Sequence, residues 1–197
     1  MKLIYRTAYM NKLASAMGTP DIKVITGIRR CGKSKLLEAF ADQIRASFPT
    51  ANIIRINFNL LEFEPLMQYR ALHDYVEKHF VEGCNNVVII DEVQMCEGFE
   101  KAINSLHASE KYDIYITGSN AFLLSNDLST LFTGRTFEVE VFPFSLAEFA
   151  QYHEITSPDE ALARYLREGG MPGSYLYPDE RARFVYIFDV LDALVLR

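Results

Sequence analysis

Gly27-Ile28-Arg29-Arg30-Cys31-Gly32-Lys33-Ser34 has the spacing of a Walker A phosphate-binding loop, and Ile22 to Thr26 before it reads as a short buried strand. A glycine-rich turn from strand to helix points backbone N–H groups inward, and the helix that follows begins with free donors and a positive dipole end. The cradle predicted for a nucleoside triphosphate is therefore Gly27, Ile28, Arg29, Arg30, Cys31, Gly32, Lys33, Ser34 and Lys35. Lys33 would reach the β- and γ-phosphates, and the Ser34 hydroxyl would complete the shell of a bridging Mg²⁺. Arg29 and Arg30 have two readings, ion pairs with nearby acids or an approach to phosphate or a neighbouring subunit. Cys31 reads as a small loop-filler, or as a thiol whose pKa is lowered by Lys33, Arg30 and a helix start.

A second group of polar residues follows Val87-Val88-Ile89-Ile90, an apolar run of the kind a central parallel strand requires. Asp91 at its carboxyl end is placed to hold Mg²⁺ or to accept a bond from Ser34. Glu92 is placed to deprotonate a water for in-line attack on the γ-phosphate. A fourth strand, Ile114 to Thr117, leads into Gly118-Ser119-Asn120. Asn120 or Ser119 is then a candidate sensor for the γ-phosphate or the attacking water, the alternative being a turn or N-cap before Ala121.

These residues need a sheet to bring them together. The expected fold is α/β, a three-layer P-loop NTPase sandwich around a parallel five-stranded sheet of order 5-1-4-3-2. That order puts the Asn120 strand end between the phosphate loop and Asp91. It separates hydrolytic P-loop ATPases from nucleotide kinases, whose acidic strand adjoins the P-loop strand. Leu36, Leu37, Phe40, Ala41, Ile44 and Phe48 mark an amphipathic helix after the loop. Strands are predicted at Ile53 to Phe58 and Thr136 to Phe142, and a helix from about Met67 to Val81. Ser145-Leu146-Ala147-Glu148 and Ser157-Pro158-Asp159-Glu160 both read as capping boxes. A last helix starts near Asp179. Residues 1–142 thus form the expected ATPase core, and 143–197 a helical lid or linker.

Composition sets bounds on function. An apolar fraction of 49% with 23% charged residues supplies a sizeable core. A net charge of −6 argues against wholesale nucleic-acid binding by this segment, which needs a concentrated basic face. No run approaches a membrane span and no signal peptide is legible, so a cytoplasmic location without membrane partners is expected. The three cysteines have neither disulfide nor metal spacing. Tyr165, Tyr175, Tyr177 and Tyr186 suit core or interface packing better than base stacking.

The chain resembles the ATPase domain of a family of AAA-type prokaryotic ATPases whose phosphate loop reads G-x-R-R-x-G-K-S. The matches are Gly27 to Ser34, Val88-Ile89-Ile90-Asp91-Glu92-Val93-Gln94, Ile116-Thr117-Gly118-Ser119-Asn120, Gly134-Arg135, Val141-Phe142-Pro143-Phe144-Ser145 and Gly169-Gly170-Met171-Pro172. The resemblance implies ATP and Mg²⁺ as cofactors and hydrolysis that drives or switches an attached or partner domain. A nucleotide-dependent switch with little turnover is the alternative. It also implies a C-terminal domain of unknown function to which nothing in these residues corresponds, so the chain is expected to be a fragment, the alternative being that the apolar face of the last helix is buried against a partner. A DNA or protein client would be met through that domain. Arg135 lies where AAA-type ATPases often present an arginine to the adjacent subunit's γ-phosphate, which makes a homo-oligomer the corresponding expectation. The plainer alternative is that Arg135 pairs with Glu138, Glu140 or a lid acid.

Overall fold

The computed structural model describes residues 4–118, 132 and 134–195. The strands are β1 (Ile22–Thr26), β2 (Asn52–Asn57), β3 (Asn86–Asp91), β4 (Tyr112–Thr117) and β5 (Thr136–Glu140). All neighbours pair in parallel, in the order β2-β3-β4-β1-β5, which is the expected order read from the other edge. A central parallel sheet has to be covered on both faces, and strand alternation divides the apolar residues accordingly. Val88 and Ile90 face one layer with Leu72, Val76, Ile103 and Leu106. Val87 and Ile89 face the other with Leu13, Leu37, Phe40 and Ile44.

The first layer is α3 (Tyr69–Lys78) with α4 (Phe99–Ala108), and the second is α1 (Thr7–Ser15) with α2 (Lys33–Ser47). Neither α1 nor α4 is anticipated in the sequence reading. The helix expected from Met67 begins later for a backbone reason. Glu97 N donates to Met67 O at 2.8 Å and Tyr69 N to Glu97 O at 3.1 Å, which holds Gln68 extended as a bridge to Glu97. β5 stops at Glu140, but Val141 N still donates to Thr26 O at 2.8 Å before Pro143 turns the chain.

Among the described residues three α-helices follow β5: α5 (Leu146–His153), α6 (Pro158–Glu168) and α7 (Glu180–Val195). Ser145 and Glu148 make the full reciprocal capping box of α5. At α6 the Ser157 side chain accepts from Glu160 N, with proline at the first helical position. The Gly169-Gly170 pair fixes this helical segment to the end of β5. Phe144 N donates to Gly170 O at 2.7 Å, Tyr165 Oη to Phe144 O at 2.7 Å, and a Cβ on Gly170 would run into Phe144 O.

Candidate active site

The phosphate loop leaves β1 at Thr26 and turns through three positive φ angles, at Gly27 (145°), Arg30 (68°) and Gly32 (105°). Gly27 is required by contact, because a Cβ there would strike Val141 O and Cys31 Sγ. Gly32 is required by conformation alone. A Cβ on it would meet nothing within 4 Å, so the loop leaves open space in front of the first turn of α2. That space and the free donors of α2 form a cradle of the shape a phosphate chain needs. Lys33 is buried, and its Nζ donates to Gly27 O at 2.8 Å and Ile28 O at 3.2 Å, curling the ammonium over the loop. Lys35 points elsewhere, into an exposed pair with Glu38.

Ser34 and Asp91 line one cleft of about 390 Å³ at the carboxyl ends of β2 and β3, together with Arg55, Asn57 and Glu62. Oxygen donors of this kind suit a hard divalent cation such as Mg²⁺. Asp91 Oδ1 accepts a hydrogen bond from Thr117 Oγ1, and the same Thr117 oxygen accepts from Glu92 N at 3.0 Å. One hydroxyl at the end of β4 therefore sets the side chain of Asp91 and the backbone of Glu92. Glu92 sits in the left-handed region at φ 57°, ψ 49°, a conformation that costs a non-glycine residue about 1 kcal/mol or more. Gln94 Nε2 donates to Glu92 Oε2 and holds one carboxylate oxygen in place.

The structure thus brings Lys33, Ser34, Asp91 and Glu92 to one end of the sheet, and adds Thr117 and Gln94, to which sequence reasoning assigned no role. Both lie inside quoted motif segments, so their signal was position, not residue type. Ser119 and Asn120 lie outside the described residues. Arg30 forms no ion pair among the described residues, and its guanidinium lies 4.9 Å from the centre of the Tyr186 ring on α7. Arg29 is exposed and among the described residues forms no ion pair. Cys31 is fully buried, as a loop-filler should be. Burial pushes its thiol above the ordinary value and outweighs the lowering by Lys33 and Arg6, contrary to the activated-thiol alternative. Arg135 is exposed at the amino end of β5, where Ile22 N donates to its carbonyl at 2.8 Å. That is the opposite end of the sheet from Gly27, about five strand residues or roughly 16 Å away. Among the described residues it forms no ion pair with Glu138, Glu140 or the helical segment.

Residues 19–150 match the family model of an AAA domain. The chain belongs to that family. It is similar to an uncharacterized protein of Haemophilus influenzae, 33% identical over 98% of this chain and 50% of the relative. A second relative, from Methanocaldococcus jannaschii, is 30% identical over 89% of this chain and 41% of its own length. The AAA domain chain therefore spans half or less of the curated relatives it matches. Among solved structures, the Walker-type ATPase PABY2304 of Pyrococcus abyssi covers 98% of this chain and 74% of its own at a TM-score of 0.58 and 19% identity. AMPPCP-bound DnaA from Aquifex aeolicus covers 96% of this chain and 61% of its own at 0.54 and 18%. The Aeropyrum pernix ORC1 protein in complex with DNA covers 81% of this chain and 50% of its own at 0.57 and 13%. At these identities the likeness is one of fold: a P-loop AAA domain.

Proposed function

We propose that this AAA domain binds ATP with Mg²⁺ and hydrolyses it to ADP and phosphate. The observation that carries the reading is the strand order, which sets Lys33 and Ser34 at the end of β1 and Asp91 and Glu92 at the end of β3, with Thr117 on β4 between them. The backbone donors of residues 27–34 and Lys33 Nζ would hold the phosphates. Ser34 Oγ and the Asp91 carboxylate would hold Mg²⁺, which supplies charge neutralisation on the β- and γ-oxygens. Glu92, with Oε2 fixed by Gln94, has Oε1 to take a proton from the attacking water.

A base at position 92 favours hydrolysis over a switch with little turnover, because a site that only binds has no use for a carboxylate held at that point. We further propose that Arg135 acts in trans on the γ-phosphate of a second copy. Its place at the far end of the sheet supports a role between subunits over one within its own site. Cytoplasmic location, a core ending near residue 142 and a client met through chain beyond this domain complete the proposal.

Lys33→Ala should lose ATP binding while keeping the fold, read by nucleotide titration beside circular dichroism. Glu92→Gln should keep ATP and Mg²⁺ and lose about 10² to 10⁴ in single-turnover hydrolysis, the usual worth of a positioned base. Unchanged ATP affinity in the first variant would remove the central claim. Wild-type turnover in the second would place the base elsewhere.

A further inference from the structure

The helix α7 is fastened to the phosphate loop through Arg30 and Ile28, and Ile28 also helps to hold Lys33. Arg30 reaches out of the loop from a left-handed backbone and stacks its guanidinium on the Tyr186 ring at 4.9 Å. Beside it, Ile28 packs on the small cluster of Met171, Tyr186 and Val190. The ring has little freedom to retreat, because it lies against the turn that follows α6. A Cβ on Gly173 would collide with the Tyr186 hydroxyl, and the Tyr177 ring lies 5.3 Å away. The opposite side of α7 is open, with Phe184 54% and Phe188 65% exposed. On the loop side, Ile28 is also one of the two residues whose carbonyls accept from Lys33 Nζ.

We infer that Arg30 and Tyr186 form a mechanical link by which phosphate in the loop changes the seating of α7. This rests on the ATP-binding reading above. A phosphate chain offers Lys33 Nζ stronger acceptors than the Gly27 and Ile28 carbonyls, because its oxygens are anionic and add the attraction of opposite charges to the hydrogen bond. Drawing the ammonium away releases Ile28 O, and the loop closes its N–H groups on the anion. Ile28 and Arg30 move with the loop. Tyr186 and the Met171 to Val190 cluster, wedged against Gly173, cannot keep both contacts unchanged, so α7 shifts. The arginine is on the loop and the aromatic on the helix, so the loop's shape is what α7 senses.

Amide hydrogen exchange of the protein with and without AMPPCP and Mg²⁺ tests this, because one experiment reads the loop and the helix separately. In the wild type, residues 27–36 should gain protection, and residues 171–176 and 180–192 should change their exchange. In Tyr186→Leu the loop should still gain protection while the α7 response is lost. Gly173→Ala, which displaces the ring without removing it, should lose the α7 response in the same way. Tyr186→Phe, which keeps the ring face, should retain it. A protected loop with no α7 response in the wild type would overturn the link and leave nucleotide binding standing. An α7 response that persists in both Tyr186→Leu and Gly173→Ala would also overturn it. No protection of the loop in the wild type would overturn nucleotide binding and the link together.

Discussion

Thr117 does more for the site than its residue type announces. Its hydroxyl donates to Asp91 and accepts from Glu92 N, and the residue is fully buried, so no water can replace either bond. Thr117→Val keeps the shape and removes both bonds, leaving a buried N–H and a carboxylate oxygen short of a partner. The expected cost is about 1–3 kcal/mol of stability, read by urea unfolding, with a fall in hydrolysis that Thr117→Ser restores. Gln94→Ala should slow hydrolysis without weakening ATP affinity, because Gln94 touches Glu92 and not the loop. A weaker affinity with unchanged turnover in that variant would detach Gln94 from the base. At Cys31 the raised thiol and complete burial lead to slow alkylation of the native protein even without nucleotide, and fast alkylation in denaturant. Rapid labelling of Cys31 in the folded protein would contradict the packing.

Between elements, the decisive contact is made by Arg6. It precedes α1, is buried, and holds four parts of the chain at once. Its guanidinium donates to Glu148 Oε1 at 2.7 Å on α5, to Phe142 O at 2.9 Å after β5 and to Cys31 O at 3.3 Å in the phosphate loop, and lies 4.4 Å from the Tyr9 ring centre. Removing one partner of a buried pair strands the other charge, so Arg6→Met should cost about 3–5 kcal/mol. Burial pushes the Glu148 carboxyl up, but hydrogen bonds from Arg6 and Ser145 and the Arg6 charge outweigh it and hold its pKa below the ordinary 4.5. Its folded pKa is therefore the lower one. The stability it contributes is present above about pH 4.5 and is lost as pH falls toward the folded value. Glu168 follows the same sign: burial raises it, and Arg164 and Arg183 lower it further than burial raises it. Thermal melts between pH 7 and pH 3 should show stability falling below pH 4.5, with a shallower fall in Arg6→Met. Equal slopes would show that Glu148 does not carry the acid sensitivity.

At the scale of the whole molecule the parallel sheet gives the domain two ends with different work. The phosphate loop, Asp91 and Glu92 occupy the carboxyl end of the strands, and Arg135 stands at the amino end beside Ile22. A guanidinium roughly 16 Å along the sheet from its own loop is out of reach of its own site, which is the geometry the proposed role in trans requires. Arg135→Ala should then bind ATP normally yet lose about 10³ to 10⁵ in hydrolysis, the range known for such arginines. Wild-type hydrolysis should rise more steeply than protein concentration. Mixing Arg135→Ala with Glu92→Gln should restore part of the activity, since each supplies the half the other lacks. Activity proportional to concentration with no recovery on mixing would mean a working monomer.

The sequence by itself determined the loop and the acidic strand end, whereas the order of the sheet was expected only from the likeness to hydrolytic P-loop ATPases. A phosphate loop must place glycines where φ turns positive, and a doubly covered strand must be apolar throughout, so Gly27, Gly32 and Val87 to Ile90 carry their structure in their residue types. The capping box at Ser145 was legible for the same local reason. What only the tertiary structure decided are contacts between residues far apart in the chain. Arg6 and Glu148 are 142 positions apart, Thr117 and Asp91 26 apart, and Arg30 finds Tyr186 only because Gly170 and Gly173 let the helical segment pack close. Lys23 illustrates the limit most simply. In sequence it is a charged residue in an apolar strand; in the fold it is fully buried, with its Nζ held by Asp113 at 2.6 Å and by Thr19 O at 2.6 Å. Periodicity and local propensity describe a residue's own neighbours along the chain, whereas a buried charge is decided by the partner that another strand brings to it.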